Sequence, residues 1–344
     1  RTSRRSKTQL TYDTGIADWL ALKEHTWASG TIQGASSHIV RELRHRRLVN
    51  WDGDPFITDL VSAMTKLHPK TSRYERMFDI SIIYEHLAQH PPRTGHHKDH
   101  RRHAVILVRA STCLRATDTI GMSRTSQRLI CFGANCVRPN PFDFQQTVWS
   151  KPFTECTNAI FEAAFASPAY YAVEFQLRSW KQKRQTGQGG KLSKPHRLLL
   201  LDTDKRNICA ASALINYYKL NKNRYTTCDH DFIWTAYNTS RPIVSPGTIL
   251  QDTLDIMTAA GVEPEYRGNA IRHAAISKWH SIGVSRELVA QRTLHRSEDV
   301  ISQFYDKSAT HDISTLVTQP KTPSRSWAHD AAASILAWFS PGTA

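Results

Sequence analysis

The sequence lacks any long apolar run and contains few cysteines. Its longest apolar stretches, 104–108 and 198–201, are far shorter than the roughly 18 residues that a membrane-spanning helix requires. The six cysteines among 344 residues have neither the density nor the spacing of a disulfide scaffold, and Cys131 and Cys136 are too far apart for a zinc-binding CxxC pair. No apolar segment follows the basic residues 1–7, as a signal peptide requires. The sequence therefore predicts reduced thiols, no export, no membrane association and no metal site.

Acidic residues are scarce relative to basic ones. The chain has 45 Lys and Arg against 30 Asp and Glu, which is a formal net charge of +15. With 40% hydrophobic and 22% charged residues, the composition is typical of a globular protein and excludes a collagen-like or disordered chain. Such a positive excess indicates a polyanionic partner, for which nucleic acid is the usual candidate. A basic surface without a specific partner is the alternative.

Helical periodicity dominates the first quarter of the chain. Apolar residues recur at helical spacing over most of 16–87, until two prolines and a glycine within 88–95 end the pattern. We place a domain boundary there and interpret the histidine- and arginine-rich segment 96–103 as a hydrated hinge. The predicted parts are a helical N-terminal domain (1–95), a second domain (96–316), and a linker with a C-terminal helix (317–344).

The second domain is predicted to combine helices with a small β-hairpin, which makes the fold mostly α with a minor β part, the α+β class. Strands are expected over 169–177 and 196–202, around a basic segment with three glycines, so the hairpin has a basic tip. Thr117 is suited to cap a short helix. No role for 133–168 follows from its sequence. Longer helices are predicted over 103–114, 207–218, 247–260, 266–283 and 286–294.

One helix in the last third carries a charge on its apolar face. Arg272 shares a stripe with Ile276 and Trp279, at spacings of four and seven residues. A guanidinium that points inward needs an anion, because it stays charged at any working pH. Gly283 is suited to the end of this helix, and Ser285 to the cap of the next one.

Two motifs resemble the signature blocks of the tyrosine recombinases, the phage-type integrases. The pattern Asn269-x-x-Arg272-His273, then Leu294-His295, then Tyr305 is similar to their His-x-x-Arg, His or Trp, and Tyr. Residues 112–118, Thr-Cys-Leu-Arg-Ala-Thr-Asp, resemble the earlier block Thr-Gly-Leu-Arg-x-Ser-Glu, and the hairpin lies between the two blocks, as in the family. The ten-residue step from His295 to Tyr305 is closest to the recombinases of eukaryotic DIRS-like and Crypton-like mobile elements. The resemblance covers residues 103–308.

This resemblance implies a site-specific recombinase or transposase that integrates or excises a mobile element through a 3′-phosphotyrosine intermediate, without metal or ATP. Tyr305 would be the nucleophile, and Arg115 and Arg272 would clamp the phosphate oxygens. His295 would donate a hydrogen bond to the phosphate. Lys181 would be the general acid, with Lys183 as the alternative, and Asn269 would belong to the catalytic set. Asp118 and His273 would support the catalytic residues. The implied DNA contacts are Arg101, Arg102, Arg184, Lys191 and Lys194.

Other interpretations of these residues stay open. Tyr305 would be a core tyrosine, Arg115 would neutralise the carbonyl end of the preceding helix, and His295 would be an ordinary helix-boundary histidine. Asn269 stands where the family has His, and an amide can hydrogen-bond to phosphate but cannot exchange a proton at neutral pH. The alternative functions are a catalytically impaired DNA-binding protein of the same fold, for which Asn269 is the hint, and a type IB topoisomerase.

The implied partners follow from the same resemblance. Double-stranded DNA would be held between the catalytic domain and the helical N-terminal domain. The apolar face over 327–339 either packs on its own domain or passes to a neighbouring subunit, and the second option predicts a homo-oligomer that is tetrameric at synapsis. No cofactor is expected, and the location is intracellular, in the nucleus if the host is eukaryotic.

Overall fold

A computed structural model of the chain describes residues 74, 76–132, 147–178, 192–193, 195–227, 230–236 and 243–293. Contacts divide the chain into two compact units, Arg1–Arg73 and Tyr74–Ala344, and every described residue belongs to the second. The domain boundary that the sequence predicts after residue 95 falls inside this second unit. The helices predicted within 16–67 and over 327–339 lie outside the described residues.

Eight helices and four strands make up this part of the chain. The helices are α1 (Ser81–Gln89), α2 (His97–Thr112), α3 (Ala116–Ile120), α4 (Asn158–Ala166), α5 (Ala210–Tyr225), α6 (Pro246–Ala259), α7 (Ala270–Ser281) and α8 (Arg286–Thr293). The strands are β1 (Arg128–Cys131), β2 (Trp149–Pro152), β3 (Tyr171–Phe175) and β4 (His196–Leu199). Short 3-10 turns precede β3 and α5 and follow β2. Among the described residues, no helix is long and apolar enough to cross a membrane.

The strands form one antiparallel sheet in the order β2-β1-β3-β4. Val173 in β3 lies opposite Leu129 on one side and Leu198 on the other, and all three side chains are buried. A mostly helical fold with a small sheet confirms the predicted α+β class. The predicted hairpin strands pair as β3 and β4, although both are shorter than expected, whereas β1 and β2 were not predicted because four residues are too few for a clear alternation.

The segment that had no predicted role helps to build the sheet and the core. Its described part, 147–168, supplies the edge strand β2 and helix α4. Phe153 packs edge-on against Phe161, with ring centroids 5.3 Å apart, and against Tyr218 of α5 at 5.1 Å. The insertion therefore covers one side of α5 with aromatic side chains.

Helix α2 is the centre of the fold. Ten of its sixteen residues are buried, and it packs against α5, α6 and α7. A helix that is apolar on nearly all faces must lie inside the protein rather than on its surface. The apolar run at 104–108 is the middle of this helix, which explains its composition.

The predicted hinge at 96–103 is wrong, because His97–Thr112 is one continuous helix. Arg101 is buried and donates from Nε to Asp252 Oδ2 at 2.7 Å, while Arg102 pairs with Asp255. His103 lies against the carbonyl of Asn207 at 2.7 Å, and burial lowers the pKa of His103 to about 4. Contacts within the protein, and not hydration, account for the polar residues of this segment.

The buried pair of Arg101 and Asp252 generates a stability prediction. Asp252→Asn leaves the Arg101 charge buried without its counterion, so we expect a loss of about 3 to 5 kcal/mol in the free energy of unfolding. The matched control is Glu162→Gln, because Glu162 forms a largely exposed pair with Lys219 at 2.7 Å. Its loss should stay below about 1 kcal/mol. Urea unfolding measures both, and equal small losses would contradict the role assigned to the buried pair.

Candidate active site

The turn between α2 and α3 has an unusual backbone. Cys113 ends α2 in the left-handed conformation, with φ of 53°, and its N–H donates to the carbonyl of Arg109 at 2.8 Å. A side chain in this region costs about 1 kcal/mol or more, which is why glycine is the usual residue there. The recombinase block has glycine at this position. The resemblance of 112–118 therefore extends to a backbone shape that the sequence alone does not show.

Arg115 begins helix α3 at this turn. Its guanidinium is half-exposed, and its Nη1 lies 3.8 Å from Asp118 Oδ2. The same Asp118 carboxylate accepts the backbone N–H of Arg115 at 3.2 Å, so Asp118 supports both the turn and the side chain. Thr117 does not cap the helix as predicted, because Arg115 is the N-cap residue and Asp118 binds it from the first turn. The Arg115 guanidinium is thus held at the protein surface beside a single carboxylate.

Arg272 of α7 reaches the same turn from inside the protein. It is 3% exposed, and Ile276 and Trp279 are buried with it, as the predicted stripe requires. Nη1 donates to the carbonyl of Cys113, and Nη2 donates to the carbonyl of Thr293 at 3.0 Å. Arg272 therefore joins three parts of the chain: helix α7, the α2–α3 turn, and the end of α8, two residues before His295.

A further arginine, Arg109, lies beside Arg272 and was not predicted from the sequence. It is completely buried on α2, and burial together with the positive charge of Arg272 lowers the pKa of Arg109 to about 9. The local signal that could have identified it is a charged residue that directly follows the apolar run 104–108. Arg109 donates four hydrogen bonds, to Leu114 O (3.4 Å), Thr253 Oγ1 (2.6 Å), Gly268 O (2.9 Å) and Asn269 Oδ1 (3.2 Å).

Asn269 precedes helix α7 and is exposed. Its side chain does not cap the helix, because its oxygen accepts from Arg109 instead. The preceding residue, Gly268, is pressed against α6, where an added Cβ would lie 2.6 Å from the carbonyl oxygen of Leu250. Glycine at 268 thus allows the carbonyl of 268 and the side chain of 269 to reach Arg109 together.

The arrangement favours an anion at the α2–α3 turn. The guanidinium groups of Arg109 and Arg272 are both buried and act on each other electrostatically, and Asp118, which lies 3.8 Å from the half-exposed Arg115 guanidinium, also acts on Arg109. The hydrogen bonds of Arg109 all go to uncharged oxygens, so they leave its charge uncompensated by an ion pair. An arginine fork is matched to phosphate oxygens, and the exposed amide of Asn269 adds a hydrogen-bonding group.

The other predicted site residues are distributed differently. His273 packs edge-on against the ring of Tyr74, with centroids 5.8 Å apart. Arg101 and Arg102 lie about 10 to 12 Å from Arg109 along α2, in pairs with carboxylates of α6, and their contact with DNA stays a prediction. Within the described ranges, no three His, Cys, Asp or Glu side chains converge on a metal position. Lys181, Lys183, Arg184, Lys191, Lys194, His295 and Tyr305 lie outside the described residues.

Different burial of the two predicted arginines leads to a prediction. Arg272→Met strands the Cys113 and Thr293 carbonyls, so we expect a loss of about 2 kcal/mol in the free energy of unfolding. Arg115→Ala changes a half-exposed side chain and should alter that free energy by less than about 0.5 kcal/mol. Arg115→Ala should still weaken DNA binding and reduce its salt dependence by about one phosphate contact. Urea unfolding and binding titrations test this, and equal stability losses would argue against the arrangement.

Comparison with known proteins gives only distant likenesses. No family model matches the sequence, and no curated protein matches it. Among solved structures, XerA recombinase is 13% identical, with coverage of 92% of this chain and 94% of that chain and a TM-score of 0.39. XerH site-specific recombinase bound to difH, before cleavage, is 10% identical, with 71% and 52% coverage and a TM-score of 0.40. Its post-cleavage complex on palindromic difH is 9% identical, with 89% and 72% coverage and a TM-score of 0.47. These three solved structures are all recombinases.

Proposed function

We propose that the protein is a tyrosine recombinase that cleaves and rejoins DNA through Tyr305, in the integration or excision of a mobile element. The observation that carries the proposal is the meeting of Arg115, Asn269 and Arg272 at the α2–α3 turn. These residues belong to two motifs that are far apart in sequence. In a basic protein unrelated to the family, we would not expect these motif positions to lie around one buried pair of guanidinium groups.

The position of the end of α8 supports the same proposal. Because Arg272 binds the carbonyl of Thr293, the chain leaves α8 at the arginine cluster. His295 follows two residues later, which is at most about 7 Å of extended chain. This short distance along the chain supports the proposed contact of His295 with the phosphate.

The proposed chemistry is an exchange of phosphodiester bonds. The phenolic oxygen of Tyr305 attacks phosphorus, which forms the 3′-phosphotyrosyl bond and breaks the bond to the 5′ oxygen. Arg115, Arg272, His295 and Asn269 stabilise the charge on the non-bridging oxygens. Lys181 donates the proton to the departing 5′ oxygen, because neighbouring cations lower the pKa of a lysine. A second 5′ hydroxyl then reverses the step, so no ATP is consumed.

Covalent trapping tests the proposal directly. The protein is incubated with nicked duplex DNA that carries the candidate target, and protein linked to DNA is separated on a denaturing gel. We expect an adduct with the unaltered protein and none with Tyr305→Phe, which lacks the nucleophilic oxygen but keeps the ring. An equal adduct with both would exclude Tyr305 as nucleophile. Salt-sensitive binding without any adduct would favour the catalytically impaired DNA-binding protein.

The identity of the general acid is a separate prediction. A DNA with sulfur in place of the bridging 5′ oxygen has a leaving group that needs no proton. Lys181→Ala should therefore lose cleavage of ordinary DNA by about 100-fold and regain it on the sulfur substrate. Lys183→Ala is the matched control and should show the same small change on both substrates. Rescue of Lys183→Ala alone would transfer the role to Lys183.

The remaining parts of the proposal concern partners and location. Double-stranded DNA is the substrate, with Arg184, Lys191 and Lys194 as backbone contacts. Exchange of the C-terminal helix between subunits would give a tetramer at synapsis, so that cleavage depends on assembly. The proposed location is intracellular, and it is the nucleus if the host is eukaryotic.

A further inference from the structure

We propose that Arg109 is a positioning residue that fixes the orientation of the Asn269 side chain, so that Asn269 presents an N–H donor to a phosphate oxygen. This inference rests on the proposed function, because it assigns a task within the same site. It also gives a reason for asparagine at the position where the resemblance expects histidine.

The orientation of the Asn269 amide is determined by chemistry. An amide has an oxygen that accepts and a nitrogen that donates, and the two ends have nearly the same shape. A guanidinium has donors only, so the atom that faces Arg109 Nη2 at 3.2 Å must be the oxygen. The amide nitrogen then points away from Arg109. Among the described residues it donates no hydrogen bond, so its donors remain for a ligand.

The Arg109 side chain is itself held in one position, so it can fix the orientation of the Asn269 amide. Its three other hydrogen bonds go to the α2–α3 turn, to α6 and to the residue before Asn269. The hydroxyl of Thr253 donates to the carbonyl of Ile249 at 2.8 Å, which leaves its lone pairs for the guanidinium. A completely buried side chain with these partners has no other rotamer available without stranding them.

The orientation of the Asn269 amide determines whether this side chain attracts or repels a bound phosphate. If the amide were free to turn, half of its orientations would place the carbonyl oxygen against the phosphate anion. The Arg109 bond removes that orientation, so the ordering is completed before DNA binds. Asparagine often caps the helix at this position, but the Asn269 side chain makes no capping hydrogen bond. Its side chain therefore has another function.

Histidine would behave differently in this environment. Asn269 contacts Arg109, and the charged groups that act on Arg109 are Arg272 on α7 and the carboxylate of Asp118 on α3. A protonated imidazole beside the buried Arg109 would add a third positive charge and lose the acceptor that Arg109 needs. Asparagine supplies the acceptor and the donor in one neutral group, whose hydrogen bonding does not change with pH near neutrality.

A double-mutant cycle tests the role of Arg109. The rate of covalent adduct formation on nicked DNA is measured for Asn269→Leu, Arg109→Lys and the double variant. Asn269→Leu should lose about 100-fold, as for removal of one donor in an anion site, and Arg109→Lys about 10-fold. In the Leu background, Arg109→Lys should cost less than about 2-fold, because there is no amide left to orient. Additive losses would overturn the proposal.

Matched controls separate positioning from stability. Thr253→Val removes another partner of Arg109 without touching Asn269, and it should lower the unfolding free energy but change the adduct rate by less than about 3-fold. Asn269→Asp keeps the acceptor for Arg109 and removes the donor, so it should lose at least as much rate as Asn269→Leu. If Arg109→Lys does not fold, this comparison decides the question: an active Asn269→Asp overturns the donor role.

The same variants in a Tyr305→Phe background keep the test independent of cleavage. Their affinities for duplex DNA should show the same coupling between Arg109 and Asn269, because the phosphate contact precedes the chemical step. Coupled affinities together with no adduct from the unaltered protein would overturn the proposed function and leave the positioning role standing. Uncoupled affinities together with a normal adduct would overturn the positioning role alone.

Discussion

A guanidinium group buried in a protein interior must find an acceptor for its N–H donors, and Arg109 is the group around which this site is organised. Its acceptors come from the α2–α3 turn, from α6 and from the segment that leads into α7. Each would be stranded without it, and the cost of a buried polar group without a partner is comparable to a large part of a domain's stability. The relative placement of these elements therefore depends on one side chain.

Arg272 adds a second buried cation and extends the same organisation to α8. Its bonds to the carbonyls of Cys113 and Thr293 bring the first motif and the approach to His295 together. Burial and, second, the positive charge of Arg272 lower the pKa of Arg109, so both disfavour its charged form in the folded protein. A phosphate group would relieve that repulsion, so the feature that costs stability is also the one that suits an anion-binding site.

Much of the architecture follows from local patterns. Apolar spacing predicts α6, α7 and α8 to within four residues, and strand composition predicts β3 and β4. It begins α2 six residues late, ends α5 seven residues early and misses α4. The errors have specific causes: β1 and β2 are too short for alternation, and 96–103 is polar in sequence because its side chains pair with α6 and with Asn207. A run of histidines and arginines has the same composition in a hydrated linker and in a buried helix with partners elsewhere.

For the site, the residue types and their order can be read along the chain: Arg115, Asn269 and Arg272 stand within two motifs, and Arg272 lies on an apolar face. The folded arrangement is needed to see that Arg272 binds two carbonyls, that Arg101 pairs with Asp252 of α6, and that Arg109 belongs to the site. The physical reason is that motif order and periodicity are local properties, whereas the partners of a buried charge are supplied by elements distant in the chain. Asn269 depends on both, since its identity can be read directly but the direction of its amide is determined by Arg109.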